Sequence, residues 1–515
     1  MTGPDDSLSP SRRKRQRQMG GPAPDAASPP GTSQPIVNSR RKLDLLGEGQ
    51  VEQIHAASLS ILTRTGLVFN SEQALGHFRQ AGARVEGSRV YLDWPLIEAC
   101  LATAPAQFTL HARNPANSLT IGGDYCVAMP TGGPAYARGL DGVRRRGTLA
   151  DVENFTKLSA LAPEVNVLAR KVVEAQDVPV AVRHLECWRV VLTMADKPAV
   201  SGTVGGRPEA EDILQMLAAL YGSEAAIQDR PCAVCSVNAN SPLLYDKPML
   251  EGALAFVRFG QPVIATPFVM AGVMGPATLA GALAQHNAEV LAGVCLTQLA
   301  RPGTPVIYGT ATSNADLRSG APAIGSPESA FSIGACAQLA RHYRLPCRGG
   351  GALTDSHLPD AQSNYERMMT LLISALSGIN FMMHGLGTLD SYLTVDYEQF
   401  VIDTELIGML RHMLRPLEIS AETLALDTID AVGPGGFFLD APHTLRHYRQ
   451  AHFLPQLSVR QSHDQWAAQG GADAAQRANA LCRERLASYR RPPLDPQAEA
   501  RLLDFIERRK AQLLA

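Results

Sequence analysis

The 515-residue chain lacks several features that mark particular protein classes. No stretch approaches the eighteen consecutive apolar residues of a transmembrane helix, so the sequence predicts no membrane span. The first residues also lack the apolar centre of a secretory signal peptide. Aromatic residues make up only 6% of the chain, whereas 45% hydrophobic and 19% charged residues are typical of a globular protein with a large core.

The cysteines form no recognisable metal or disulfide framework. The nine cysteines are dispersed through apolar segments, which favours reduced thiols and a cytoplasmic location. Cys232 and Cys235 form a CxxC pair, but there is no second pair to complete a zinc site, so we interpret both as core thiols. His443 and His447 lie one helical turn apart with no evident third ligand, and the sequence therefore predicts no metal site.

Residues 1–38 form a leader that is rich in Pro, Gly, Ser and Ala and contains the basic run Arg12–Arg17. Its composition favours a solvated, disordered segment, although a basic tail can also contact nucleic acid or an acidic protein. The formal net charge of the whole chain is −2. Because the leader concentrates basic residues, the rest of the chain is mildly acidic, which argues against a nucleic-acid-binding domain.

From residue 121 to residue 428, short apolar runs alternate with segments of helical spacing. The eight runs are Cys126–Pro130, Val165–Val172, Pro198–Val204, Cys232–Val237, Gln261–Thr266, Pro305–Ala311, Leu345–Gly350 and Ile379–His384. This alternation predicts an α/β fold with a (β/α)8 TIM-like barrel, and an open doubly wound sheet is the alternative because periodicity does not show closure. We assign residues 39–120 to an N-terminal α+β appendage and 429–515 to a C-terminal helical cap.

In such barrels the chemistry takes place at the carboxyl ends of the strands. The predicted ends offer hydroxyls, amides, carboxylates and one imidazole, but few lysines or arginines, which suits a small neutral or cationic ligand. These ends carry Thr131–Pro134, Glu174, Asn238, Thr266, Phe268, Thr310, Thr312, Gly349–Gly351, Asp355 and His384. Neither the glycines around Leu386 nor those after Arg348 complete a dinucleotide or phosphate loop.

Long segments of the chain resemble the trimethylamine methyltransferase family, in particular its branch without pyrrolysine, which includes glycine betaine methyltransferases. The resemblance runs in matching order from about residue 43 to the end of the chain. It is carried by Ala106–Gly123, Glu174–Glu186, Met270–Glu289, Gly325–Ala330, Gly349–Glu366, His384–Asp403 and Gly433–Arg449.

The resemblance implies a methyltransferase that moves a methyl group from a small quaternary amine, such as glycine betaine, to the cobalt of a separate corrinoid protein. It implies no tightly bound cofactor in this chain. The archetypal members carry pyrrolysine near the seventh strand, whereas this chain has only standard residues there, around Gly349–Ser356. A quaternary ammonium already carries a neutral amine as its leaving group, so the protein supplies orientation, desolvation and electrostatics.

Aromatic faces, carboxylates and carbonyls hold a methylammonium group best. With the resemblance, this chemistry gives as candidate substrate-binding residues His384, Asp355, Glu328, Tyr308, Phe268 and Tyr136. The aromatic residues among them could equally be barrel packing, and no catalytic residue is assigned. We also hypothesise that small residues at the barrel rim let the corrinoid ring approach, namely Gly132, Gly133, Gly350, Gly351, Gly385 and Gly387.

Two other functions are considered. A non-catalytic sensor that binds a quaternary amine on the same barrel is the main alternative. A metal-dependent hydrolase or lyase is disfavoured because the strand ends carry no paired ligand set. The expected partners are the amine and a corrinoid protein, with neither nucleic acid nor membrane, and a homo-oligomer is left open.

Overall fold

The computed structural model describes residues 31–202 and 204–515, and at its centre lies a ring of eight parallel strands. The basic run Arg12–Arg17 lies outside the described residues. In chain order the strands β1–β8 are Tyr125–Pro130, Leu168–Ala169, Ala199–Gly202, Ala233–Val237, Val263–Ala265, Val306–Gly309, Cys347–Gly350 and Phe381–Leu386. Each falls within or overlaps one of the eight predicted runs.

The ring is closed. Consecutive strands from β2 to β8 pair in parallel, and β8 pairs in parallel with β1 through Phe381 and Val127. Between β1 and β2, the amides of Asn166 and Val167 donate to the carbonyl oxygen of Ala128 over 2.9 and 3.2 Å. The predicted (β/α)8 barrel is therefore confirmed over the open doubly wound sheet.

One long helix follows each strand. Helices α1–α8 are Leu149–Leu161, Val180–Met194, Gly206–Tyr221, Lys247–Arg258, Leu279–Ala300, Pro327–His342, Ala361–Ser377 and Tyr397–Leu414. Five of them begin at a side-chain cap that accepts a backbone N–H, which fixes where each helix starts: Thr148, Asp246, Ser326, Asp360 and Asp396. Helix α5 is buried without interruption from Ala282 to Gln298 because the N-terminal helices cover its outer face.

The chain before the barrel adds the helices that cover α5 and extends the central sheet. The helices are Gln50–Ser60, Glu72–Gln80 and Trp94–Thr103, and the first of them continues as the π-helical turn Ile61–Thr65. Strands Leu67–Phe69, Arg84–Glu86 and Arg89–Tyr91 form a small sheet with Leu244–Tyr245. Next to β1 in the central sheet lie the antiparallel strands Ile36–Val37, Gln107–Leu110 and Leu119–Gly122, with the 3-10 turn Pro115–Asn117 between the last two.

The loops at the carboxyl ends of the strands carry short strands that build walls above the ring. One wall is a sheet of Tyr136–Arg138, Arg144–Arg146, Thr388–Leu389 and Thr394–Asp396, and the other consists of Met270–Ala271, Ser313–Asp316 and Ala321–Ala323. A short helix, Glu224–Ile227, follows α3. The walls deepen the mouth of the barrel, where ligands bind in this fold.

Six helices follow the barrel: Ala421–Leu424, Leu426–Val432, Pro442–Ala451, His463–Ala468, Ala474–Ser488 and Pro496–Leu514. Ala474–Ser488 packs against α8 and α1, and Pro496–Leu514 packs against α2 and α3. The division of the chain at residues 38, 120 and 428 stays a prediction. Across the described residues, every helix is too short or too polar to span a bilayer.

Cys235 lies in β4 and Cys232 directly precedes this strand, and both are buried free thiols, in agreement with the interpretation as core residues. Burial raises the pKa of Cys232 to about 12, which keeps this thiol protonated and unreactive.

A first prediction concerns the crossing of β7 and β8. A Cβ atom added at Gly351 would lie 2.5 Å from the Cα atom of Gly385. We expect Gly351→Ala to lower the free energy of unfolding by roughly 1–3 kcal/mol, because the backbone must shift to relieve the overlap. Chemical denaturation measures the change. The control is Gly202→Ala at the end of β3, where no described atom lies within 4 Å of the added Cβ; equal losses in the two variants would contradict the prediction.

Candidate functional site

A cavity of about 500 Å³ opens at the carboxyl ends of the barrel strands. All eight strands or the residues directly after them contribute to its walls: Gly132, Gly133, Arg170, Lys171, Ser201, Gly202, Ser236, Asn238, Thr266, Phe268, Ala311, Arg348, Met383 and His384. Its size suits a small organic molecule. The cavity is therefore the candidate site.

The structure brings some of the predicted substrate-binding residues together and keeps others apart. His384 and Phe268 line the cavity. Glu328 lies exposed in the first turn of α6. Tyr308 is completely buried outside the cavity, where its hydroxyl donates to Asn287 Oδ1 over 3.0 Å, and Tyr136 lies under the guanidinium of Arg144 at 3.6 Å.

The predicted rim glycines also divide into two groups. Gly132 and Gly133 line the cavity. A Cβ atom added at Gly132 would have its nearest neighbours 3.9 Å away, and one added at Gly133 would have no described atom within 4 Å. At Gly350 an added Cβ would lie 2.5 Å from Leu353, and Gly351 abuts Gly385. Internal packing accounts for this second group, which includes Gly387, so the rim hypothesis now rests on Gly132 and Gly133.

Arg348, which the sequence analysis did not single out as a ligand residue, brings a buried positive charge to the cavity from β7. The residue is only 3% exposed, its Nη1 donates to the carbonyl oxygen of Thr310, and its Nε has no hydrogen-bond partner among the described residues. Burial lowers its pKa to about 10, so the guanidinium stays charged at neutral pH. No carboxylate of residues 31–202 or 204–515 forms an ion pair with it.

The other two cations at the cavity are neutralised by carboxylates. Arg170 pairs with Glu209, and Lys171 pairs with Glu174. The expectation of few lysines and arginines at the mouth is thus wrong, and among the described residues that line the cavity only Arg348 contributes a charge without a carboxylate partner. Because an unpaired buried charge is unfavourable, the cavity is suited to a ligand with an anionic group.

His384 lies beside Arg348 and is neutral. Its Nδ1 is 3.0 Å from Thr131 Oγ1, and its ring centroid is 4.5 Å from that of Tyr392. Burial, followed by the charge of Arg348, lowers the pKa of His384 to about 3. The imidazole can therefore offer a hydrogen bond to a ligand but no positive charge. Its backbone is left-handed, with a φ of 56°, a strained conformation that is concentrated at functional sites.

Asp355 does not line the cavity but supports a residue that does. Its carboxylate accepts hydrogen bonds from the amides of Ile324 and Gly325, both at 3.0 Å, and from Ser391 Oγ at 2.6 Å. Burial raises its pKa. The bond to Ser391 anchors the loop that carries Tyr392 into the cavity.

Sequence reasoning missed Tyr392. Three consecutive residues, Asp390 to Tyr392, have positive φ values of 57°, 48° and 75°. This irregular turn has neither helical nor strand periodicity, so no pattern marked its aromatic side chain. Burial raises the pKa of Tyr392 to about 12, which leaves a neutral phenol next to His384.

Much of the remaining lining is apolar or aromatic. Phe268 and Tyr392 supply rings, and Met129, Met249 and Met383 supply thioethers. Aromatic faces attract methylated cations, and methionine is a polarisable apolar surface that adapts to their shape. The cavity therefore combines one buried cation with a surface suited to methylammonium.

The comparison with known proteins agrees with the sequence resemblance. The model of the trimethylamine methyltransferase family matches residues 10–514. A glycine betaine methyltransferase of Desulfitobacterium hafniense strain Y51 is 44% identical over 468 residues, which are 91% of this chain and 97% of that protein. A proline betaine:corrinoid methyltransferase of Eubacterium limosum is 34% identical and covers 89% of this chain and 96% of its own.

A solved structure extends the likeness to the fold. The monomethylamine methyltransferase of Methanosarcina barkeri superposes with a TM-score of 0.52 over 87% of this chain and 88% of its own. At 10% sequence identity this likeness concerns the fold alone.

A second prediction concerns the acid stability of the barrel below the cavity. His286 in α5 is fully buried, with its Nδ1 2.8 Å from Thr312 Oγ1, and burial together with Arg348 lowers its pKa to about 3. The unfolded chain takes up a proton on this imidazole below about pH 6.5, but the folded chain does so only near pH 3. Folding stability is therefore lost as the pH falls through this window.

The free energy of unfolding of the wild type falls between pH 6.5 and pH 5. We expect this fall to be smaller in His286→Asn, by up to about 2 kcal/mol. Denaturation curves at both pH values measure the difference. The control is His463→Asn, which makes the same substitution at an exposed histidine of the C-terminal segment. An unaltered pH dependence in His286→Asn would show that this imidazole is not held neutral.

Proposed function

Because the chain belongs to the trimethylamine methyltransferase family, we propose that it transfers a methyl group from a carboxylated quaternary amine to the cobalt of a corrinoid protein. Glycine betaine or a close analogue is the substrate, and the glycine betaine and proline betaine methyltransferases among its relatives support this class. The observation that carries the proposal is the charged, carboxylate-free side chain of Arg348 in the cavity.

Arg348 is the group that recognises the substrate carboxylate. A guanidinium binds a carboxylate through two parallel hydrogen bonds, which neutralise its charge and fix the orientation of the ligand. The neutral His384, oriented by Thr131, adds a hydrogen bond on the same side. Asp355, one of the predicted substrate-binding residues, acts in this proposal as the support of the loop that carries Tyr392.

The trimethylammonium end is bound by the apolar part of the cavity. A quaternary nitrogen has no N–H to donate, so aromatic faces and polarisable side chains hold it instead of hydrogen-bond acceptors. Phe268 and Tyr392 provide the rings. With the carboxylate fixed at Arg348, the methyl groups are held in one place, and this ordering lowers the entropic part of the barrier.

The reaction requires no proton at the amine nitrogen. When the C–N bond breaks, the electron pair stays on nitrogen and the product is a neutral tertiary amine. Because no proton has to be delivered, the reaction needs no acid in the cavity, where His384 is neutral and Glu174 is paired with Lys171. The contribution of the protein is to orient and desolvate the substrate.

The corrinoid, which supplies a nucleophilic cobalt as methyl acceptor, is presented by a partner protein at the mouth. The cavity opens at this mouth, so a bound amine is accessible from the outside. Gly132 and Gly133 leave space at this edge of the barrel.

The direct test mixes the purified protein with reduced cob(I)alamin and a panel of amines, and follows the cobalt absorbance. The panel contains glycine betaine, proline betaine, carnitine, γ-butyrobetaine, choline and trimethylamine. We expect methyl transfer from a carboxylated quaternary amine and none from trimethylamine. Calorimetric binding of a betaine without transfer to cob(I)alamin or to a corrinoid protein would instead favour a non-catalytic amine binder.

The third prediction tests Arg348. Arg348→Gln should lower kcat/KM for the betaine substrate by at least about 30-fold, because loss of one partner of a buried charge pair weakens binding by about 2 kcal/mol or more. Arg207→Gln removes an arginine from a surface pair with Glu211 and should change nothing. An unchanged kcat/KM in Arg348→Gln would refute carboxylate recognition at this position.

The fourth prediction tests the rim. Gly132→Val should slow methyl transfer to the corrinoid protein, because the added side chain obstructs the approach of the corrinoid ring. The calorimetric Kd for the amine should stay close to that of the wild type, because the side chain does not obstruct the bound amine. A parallel loss of amine binding would mean that Gly132 belongs to the amine site, and the rim hypothesis would then be wrong.

A further inference from the structure

Three side chains that can bind a metal ion meet on the C-terminal segment, away from the cavity. Glu422 is carried by helix Ala421–Leu424, and His443 and His447 by helix Pro442–Ala451. Each residue offers one potential ligand atom, and these three atoms all lie within 4.8 Å of one another. We propose that these residues bind a divalent transition-metal ion, with zinc as the best-suited ion.

The local geometry already brings the three groups together. His443 and His447 lie four residues apart on one helical face, with ring centroids 4.4 Å apart. His447 Nε2 is 2.9 Å from Glu422 Oε1, and His443 Nε2 is 2.9 Å from the Glu422 carbonyl oxygen. Small rotations of the exposed Glu422 side chain and the two half-buried imidazoles would let all three face a common point.

The sequence showed no evident third ligand for the two histidines, and Glu422 offers a candidate. Glu422 precedes His443 by 21 residues and is brought back to it by the turn at Gly433–Gly436. Local spacing could not reveal it, since the ligand comes from a different helix.

The donor set indicates the kind of ion. Two imidazole nitrogens and one carboxylate oxygen suit zinc and its neighbours cobalt, nickel and copper, whereas calcium and magnesium prefer oxygen ligands alone. Three protein ligands leave a fourth position of a tetrahedral site for water.

An ion-pair network is the alternative role of these residues. Arg446 Nη2 donates to the same Oε1 of Glu422 over 3.0 Å. Hydrogen bonds from His447 and Arg446 lower the pKa of Glu422 to about 2. Arg446 is exposed, and surface ion pairs of this kind contribute little, so a metal ion can displace it from the carboxylate.

The surrounding segment contributes few side chains to the hydrophobic core. None of the residues described in the four short helices between Ala421 and Ala468 is buried. Large apolar side chains such as Leu417, Phe437 and Leu439 are 69–81% exposed. A bound ion would join two helices that otherwise meet through the polar contacts of Glu422, and would stabilise the folded segment by mass action.

The test uses the full-length protein after treatment with a chelator and dialysis. Titration with Co²⁺ should produce the visible absorption bands of a tetrahedral site at one ion per chain, and Zn²⁺ should abolish them. His443→Ala and Glu422→Gln should each weaken binding by at least roughly 10-fold, since even groups that only support a ligand have effects of this size. His463→Ala removes an exposed histidine outside the cluster and should bind as the wild type does.

Two results would overturn the proposal: no stoichiometric Co²⁺ or Zn²⁺ binding to the wild type at micromolar protein, or equal binding in all variants. Circular dichroism monitors folding, and the nearly isosteric Glu422→Gln keeps the test valid if His443→Ala is impaired. Because metal binding is the readout, the result does not depend on methyl transfer or on the function proposed above.

Discussion

The closed ring of parallel strands is the constraint on which the site depends. Closure through the hydrogen bonds of Asn166 and Val167 to Ala128, and through the pairing of β8 with β1, directs eight carboxyl ends to one mouth. Residues far apart in the chain therefore become neighbours, as Thr131 and His384 do over 253 positions. An open sheet would have separated these two edges and left no enclosed cavity.

Within this frame, one uncompensated charge determines what the cavity can bind. Two of its three cations have carboxylate partners, and only Arg348 has none among the described residues. Arg348 also helps to keep His384 neutral, because a second positive charge beside a buried first one is unfavourable. The site thus separates an anion-binding group from an apolar, aromatic surface, which matches the two ends of a betaine.

The sequence predicted the barrel because eight apolar runs alternate with helical segments, and long matching segments predicted the family. It could not predict which strand residues face the cavity. Cys347 to Gly350 are all buried, so no alternation of exposure distinguishes Arg348 from its neighbours. For the same reason the sequence predicted Tyr308 as a substrate-binding residue, whereas its side chain packs outside the ring.

Other site residues depend on irregular backbone. Tyr392 enters the cavity from a turn of left-handed residues, and the bond between Asp355 and Ser391 holds that turn in place. Such turns follow from tertiary contacts and leave no periodic pattern in the sequence. The role of Asp355 as a support, rather than as a ligand to the amine, is visible only once the loops are folded together.

The most direct test of the account is a crystal structure of the protein with glycine betaine bound. We predict that the substrate carboxylate lies about 3 Å from the guanidinium nitrogens of Arg348, with the trimethylammonium group against Phe268 and Tyr392 and a methyl carbon toward the mouth. A carboxylate bound instead by Lys171 or Arg170, or left in solvent with the ammonium at Glu174, would contradict the central role of Arg348.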